Sequence, residues 1–122
     1  LRLLNELQEK FGITYVFVSH DLEVVRAVAN EIVVMHLGEI VEQAPTKLLF
    51  ERAYHPYTQA LLAASELTGG ELTWGQRTED VSLLRGGCQL RDRCPLSEAR
   101  CKEPQPLRSL DGDHSVRCWK TA

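Results

Sequence analysis

The stretch Thr14-Tyr15-Val16-Phe17-Val18-Ser19-His20-Asp21-Leu22 decides how this chain is read. β-Branched and aromatic residues run from Thr14 to Val18 without a charge, and the run stops at a histidine and an aspartate. Such a run suits a strand covered on both faces, as in a parallel sheet lying between helices. The expectation is a buried strand that delivers His20 to its carboxyl end, where open α/β sheets bind their ligands. A helix-capping Ser-His-Asp turn without chemistry fits the same residues.

Outward from this stretch the pattern stays α/β. On the N-terminal side, Leu3, Leu7 and Phe11, with Leu4 beside them, share one helical face while Glu6, Glu9 and Lys10 fall on the other. This predicts an amphipathic helix over 1–10 packed on a sheet and ended by Gly12. On the C-terminal side Asp21 is a good N-cap rather than a catalytic base. Leu22, Val25 and Ala29, flanked by Val24 and Val28, then give helical spacing through about Asn30. Ile32-Val33-Val34-Met35 reads as a strand, Leu37-Gly38-Glu39 as a turn and Ile40-Val41-Glu42 as the returning strand, a hairpin at a sheet edge. Ala44-Pro45 breaks that strand, and Thr46 can cap a helix beginning at Lys47. His55-Pro56 interrupts before helical spacing resumes over 57–64. From 66 to about 84 there is no periodicity, which reads as a linker or a loosely packed loop.

Composition narrows the class. The 122 residues carry a net charge of -3, and their apolar and charged fractions are those of a globular protein. A negative balance argues against a general nucleic-acid binder, whose phosphate contacts want a basic surface. No apolar run approaches the roughly 20 residues needed to span a bilayer. The chain opens at Leu1 inside what reads as a helix already under way, without an initiator Met or a signal-peptide pattern. The expectation is therefore the tail of a longer protein.

Cys88, Cys94, Cys101 and Cys118 all lie in the last third, spaced Cys-x5-Cys-x6-Cys-x16-Cys. The segment around them has few large apolar residues and several prolines, and below about 40 residues a chain cannot bury a useful core alone. Something must staple it. Four soft ligands in a loop-rich segment suit a tetrahedral zinc site or an iron–sulfur cluster; four reduced thiols packed in a small tail are the alternative. Without a secretion signal, clustered thiols more often hold metal than form disulfides. The paired C-x-x-C knuckles usual in zinc modules are lacking. His36, His55 and His114 are scattered, and histidines in turns are mostly solvent-facing or satisfied locally; only His114, four residues before Cys118, stands as a reserve ligand. Arg85, Arg91, Arg93, Arg100 and Lys102 would partly offset the charge of a thiolate cluster, and a solvated basic face explains them as well.

Taken together, these motifs resemble one family. Val18-Ser19-His20-Asp21-Leu22 looks like the switch-histidine loop of ABC-transporter ATPase subunits, and Val33 to Gln43 is similar to the strand-turn-strand that closes those nucleotide-binding domains. His55-Pro56-Tyr57-Thr58-Gln59-Ala60-Leu61-Leu62 and Gly87-Cys88…Arg93-Cys94-Pro95…Cys101…Pro106-Leu107…His114…Val116…Cys118 narrow the resemblance to the oligopeptide and dipeptide importers. Ala44 stands where members often have glycine, and the linker around Trp74 lacks their proline-rich stretch.

The resemblance implies an α/β fold. Residues 1–45 would be the C-terminal part of an ABC-type P-loop nucleotide-binding domain, 46–85 short helices and a linker, and 86–122 a small Cys-rich, loop-rich tail. It implies that His20 contacts the γ-phosphate of ATP, helps position the attacking water and links nucleotide state to closure of two ATPase subunits. The phosphate loop, the acidic strand that supplies magnesium and the catalytic glutamate, and the signature motif would all precede Leu1. No G-x-x-x-x-G-K-S/T occurs here, so this stretch alone is expected to be inactive, with the ATP and Mg sites mostly outside it. Implied partners are a second ATPase subunit, homologous or identical, and transmembrane permease subunits; no nucleic acid is implied. The implied place is peripheral, on the cytoplasmic face of the inner membrane. For Cys88, Cys94, Cys101 and Cys118 the resemblance favours a 4Fe–4S cluster of structural or regulatory role, with zinc as the alternative. A stand-alone metal-binding interaction module is the competing reading, decided by whether a Gly-rich Lys-Ser/Thr loop lies upstream. A secreted disulfide domain would need Cys pairing and export, for which the sequence gives no support.

Overall fold

The computed structural model describes residues 2–66 and 86–121. In chain order these form α1 (Arg2–Phe11), α2 (Leu22–Val28), β1 (Glu31–His36), β2 (Glu39–Pro45), α3 (Thr46–Glu51), α4 (Pro56–Glu66), a 3-10 turn at Ala99–Lys102, β3 (Arg108–Asp111) and β4 (His114–Val116). The linker expected over 66–84 lies, from residue 67 on, outside the described residues.

The predicted hairpin is the centre of the fold. Along β1, Ile32, Val34 and His36 turn inward while Glu31, Val33 and Met35 face out, the period-2 alternation of a strand with one face on a core. His36 pairs with Glu39 across a two-residue loop, Leu37-Gly38, in which both residues have positive φ (48° and 83°). That geometry matches the twist of the flanking strands and favours glycine at its second position. The register then slips: Val34 faces Glu42 but Met35 faces Ile40, leaving Val41 as an extra, bulged residue on β2. Because of the bulge, two neighbouring residues, Val41 and Glu42, are both buried. Ile32, Val34, Val41, Ala44 and Leu49 form the core, with Val25, Ala29, Phe50, Tyr57 and Leu61 packed against it.

The sheet is antiparallel throughout, in the order β1-β2-β4-β3. Its second half comes from the cysteine-bearing segment: Val116 pairs with Glu42, and Ser115 with Gln43. The tail therefore does not rely on a core of its own, since Val116 is buried against the hairpin.

Several expectations are corrected. The buried strand predicted to end at Ser19 is absent: the backbone from Gly12 to Ser19 has no regular structure, and Val16 and Val18 are 95% and 99% exposed. A strand exists only through ladder hydrogen bonds, and none of the four strands pairs with this run, so apolar β-propensity alone cannot make it one. The parallel sheet expected around it does not occur among the described residues. Helix α1 forms as spaced and ends before Gly12 (φ 63°), yet none of its residues is buried, so it is not packed on a sheet; Leu3 and Phe11 face outward. Thr46 does not cap α3 but lies inside it. Its hydroxyl instead donates to the Ala29 carbonyl at 2.6 Å, and its N–H to the Asn30 carbonyl at 2.9 Å, which fastens the end of α2 to the start of α3.

Candidate functional site

His20 sits in an exposed turn between the apolar run and α2. The residues on either side of it hold the turn. Ser19 Oγ accepts from the Asp21 N–H at 3.0 Å, spanning His20, and Asp21 Oδ1 accepts from the Glu23 and Val24 N–H groups at 3.0 and 3.1 Å. Asp21 is thus the N-cap that its position predicts, with extended backbone (φ -89°, ψ 103°). Among the described residues no hydrogen bond or ion pair reaches the His20 ring, which leaves it open to a ligand.

The polar centre of the molecule is Glu42, which sequence reasoning passed over. Its side chain is 0% exposed and accepts three hydrogen bonds: from the Tyr54 N–H at 2.7 Å, the His55 N–H at 3.0 Å and His114 Nε2 at 2.7 Å. The Tyr54 ring stands edge-on to His114 at 4.8 Å. His55 is also buried; its Nδ1 accepts from the Tyr57 N–H at 3.0 Å, so its proton is on Nε2, facing the Arg117 carbonyl. Burial pushes the His55 pKa down from 6.5 to about 4, His36 pushes the same way, and Glu42 and the Arg117 carbonyl pull against them. Arg117 completes the seam, donating to the Ile40 and Gln105 carbonyls at 2.8 and 2.6 Å while its N–H pairs with Val41. None of His36, His55 and His114 faces solvent: all three are buried, and His55 is satisfied locally, by the Tyr57 N–H. With Nε2 on Glu42, His114 serves the fold in the described structure.

Cys88, Cys94, Cys101 and Cys118 are all free thiols. Cys101, Cys118 and Cys94 lie close enough to Cys88 to raise its pKa, and Cys118 and Cys101 do the same to Cys94. Burial is the larger cause in each case and takes Cys88 up to about 11; Cys94 and Cys118 are raised in the same way. Working against it, backbone N–H groups point at sulfur: Leu90 at Cys88, Leu96 at Cys94, Lys120 and Thr121 at Cys118. The Cys88 N–H also donates to the Cys101 carbonyl at 2.8 Å. Gly87 lets the chains come this close, because a Cβ there would lie 2.5 Å from the Cys101 carbonyl oxygen. Arg108 donates to the Cys118 and Thr121 carbonyls at 2.6 and 2.7 Å, and Arg100 stacks on Trp119 at 3.8 Å. Four thiols are the donor chemistry that soft metals take. Yet among the described residues no group of three or more His, Cys, Asp and Glu side chains is disposed to hold a metal ion. His20 takes no part in the cysteine group or in the Glu42 cluster. A cavity of about 140 Å³ separates the hairpin from the cysteine segment, lined in part by His36, Glu39, His55, Cys88, Gln105 and Arg117. No described helix is long and apolar enough to cross a membrane.

Residues 41–101, half of the chain, match the profile of the family described as "Oligopeptide/dipeptide transporter, C-terminal region". The chain is 36% identical to the oligopeptide transport ATP-binding protein AppF of Bacillus subtilis, over 97% of its own length and 38% of that protein's. It is 32% identical to the oligopeptide transport ATP-binding protein OppF of Escherichia coli, covering 98% of this chain and 38% of the relative. With the dipeptide transport ATP-binding protein DppF of Haemophilus influenzae it shares 37% identity, covering 87% and 34%. The chain thus spans little more than a third of the length of the relatives it matches. The end of β2, the His-Pro-Tyr-Thr turn and the first three cysteines fall within the matched region, and by it the chain belongs to the family of oligopeptide/dipeptide transporter C-terminal regions.

Proposed function

We propose that this chain is the C-terminal part of the ATP-hydrolysing subunit of an ABC-type oligopeptide or dipeptide importer, working with a second ATPase subunit and membrane-embedded permease subunits at the cytoplasmic face of the inner membrane. The observation that carries the reading is the match over nearly the whole chain to proteins named as oligopeptide transport ATP-binding proteins. In this reading 1–45 complete a nucleotide-binding domain, 46–85 link, and 86–122 form the Cys-rich tail. The exposed apolar side chains of Leu3, Phe11, Val16 and Val18 fit burial against the remainder of a longer subunit.

His20 is the residue of this chain that would act on ATP. A neutral imidazole at the end of an apolar segment can donate a hydrogen bond to the γ-phosphate or to the attacking water, and phosphoryl transfer is accelerated mainly by such positioning and charge stabilisation. These 122 residues contain no Gly-rich Lys-Ser/Thr loop to cradle phosphate, so in this reading the ATP and Mg sites lie mostly outside them. The test is ATP-driven uptake of a labelled peptide into proteoliposomes holding the full-length subunit and its membrane partners. Uptake that requires hydrolysable ATP is expected; hydrolysis without any coupling to peptide would overturn the reading.

We further infer that Cys88, Cys94, Cys101 and Cys118 are the ligands of one metal centre, a 4Fe–4S cluster in preference to zinc. Its support is the set of four free, mutually close thiols with backbone N–H groups directed at three of them. Bound there, the metal would supply cross-linking of the tail and replace the thiol protons. The sulfurs are not yet disposed around a common point, so metal binding has to draw them together. Iron, acid-labile sulfide and zinc measured together on subunit purified without oxygen decide it: stoichiometric iron and sulfide are expected, zinc alone changes the cofactor, and no metal removes the reading.

A further inference from the structure

The His20 ring has no described partner, so its place is set by the backbone that carries it. That backbone has two soft dihedrals per residue, and the side chains on either side of His20 fix them. The Ser19 Oγ bond to the Asp21 N–H closes a ring around the His20 peptide, and the Asp21 carboxylate then accepts from the Glu23 and Val24 N–H groups in the first turn of α2. At the other end of α2, Thr46 donates to the carbonyls of Ala29 and Asn30, while Val25 and Ala29 pack on the core. Helix α2 is therefore a short rod anchored to the hairpin at its far end and presenting His20 at its near end.

We propose that Ser19 and Asp21 are positioning residues for His20: they hold the turn in which the imidazole meets the γ-phosphate or the attacking water. The inference rests on the reading of His20 given above and adds to it which residues make the geometry. Asp21 touches no reacting atom. It acts through His20, because a hydrogen bond to a transferring phosphoryl group loses most of its catalytic value when the donor is displaced by about 1 Å.

The experiment uses the full-length ATPase subunit assembled with its membrane subunits, comparing Asp21→Ala, Asp21→Asn, Ser19→Ala, His20→Ala and the double variant His20→Ala/Asp21→Ala. Asp21→Ala should lower kcat about tenfold or more with KM for ATP unchanged, and Ser19→Ala should do so more weakly. Asp21→Asn keeps the capping oxygen and should restore most of the turnover, which loss of a negative charge alone would not. In the double variant, turnover should be no lower than in His20→Ala, because a residue that acts through His20 has nothing left to position. Full kcat in Asp21→Ala beside an inactive His20→Ala would overturn the positioning role, and so would equal losses from Asp21→Ala in both backgrounds. Full turnover in His20→Ala overturns the assignment of His20 itself, a result distinct from these.

Discussion

Replacing Glu42 by alanine should be the most damaging single change in the described structure. The carboxylate is fully buried and collects the Tyr54 N–H, the His55 N–H and His114 Nε2. Its removal leaves two backbone donors and an imidazole buried without a partner. Hydrogen bonds to a charged group are each worth about 1.5–3 kcal/mol net, and stripping one partner from a buried pair costs about 3–5 kcal/mol. Loss of the node is therefore expected to cost about 4 kcal/mol, a large share of the roughly 5–15 kcal/mol that holds a domain together. His114→Ala should cost about 2 kcal/mol, because Glu42 keeps its two backbone donors. Both substitutions delete the same 2.7 Å contact, so the double variant should fall short of the sum by at least about 1 kcal/mol. Urea unfolding, read by Trp119 fluorescence in a Trp74→Phe background that leaves one tryptophan among these 122 residues, gives the free energies. Amide exchange at Tyr54 and His55 shows whether the tail has let go of the hairpin. A cost below about 1 kcal/mol for Glu42→Ala, or strict additivity in the double variant, would refute the reasoning.

Two further outcomes are open to the same methods. His55 is held neutral by burial with a pKa of about 4 against an ordinary 6.5. Between those values the unfolded chain binds a proton that the folded one refuses, so its contribution is complete above about pH 6.5 and lost as pH falls toward 4, by at most about 1.4 kcal/mol per pH unit. His55→Asn should flatten this part of the urea-midpoint profile, and an identical slope in both proteins would contradict the assignment. Gly87→Ala would place a Cβ 2.5 Å from the Cys101 carbonyl oxygen and 2.6 Å from that of Lys102. Those are backbone atoms that cannot step aside cheaply, so it should cost about 1–3 kcal/mol and speed exchange of the Cys88 amide; unchanged exchange would count against the close approach.

How far the sequence could be read depended on the range of the forces involved. The hairpin and the Asp21 cap were legible because both are local: alternation and a positive-φ glycine specify the first, a carboxylate ahead of an apolar-periodic helix the second. The run ending at His20 favours extension, but a strand needs a neighbour that propensity cannot supply, and none of the described strands lies beside it. Glu42 was missed for a different reason. In a regular strand its position beside Val41 marks it as outward-facing, and only the bulge at Val41 turns it inward. The signals that would have found it are the buried-looking His55 beside Pro56 and His114 in a short strand, two histidines in need of one acid. The four cysteines announced themselves by spacing, but the N–H groups aimed at their sulfurs come from backbone turns that no residue pattern reveals.

ATP turnover of the His20→Ala subunit, assembled with its membrane partners and measured beside its ATP affinity, bears most directly on the claim that this chain completes a peptide-importing ATPase. A contact made chiefly in the transition state predicts turnover lost with nucleotide binding largely kept. Wild-type turnover in that variant would contradict the account.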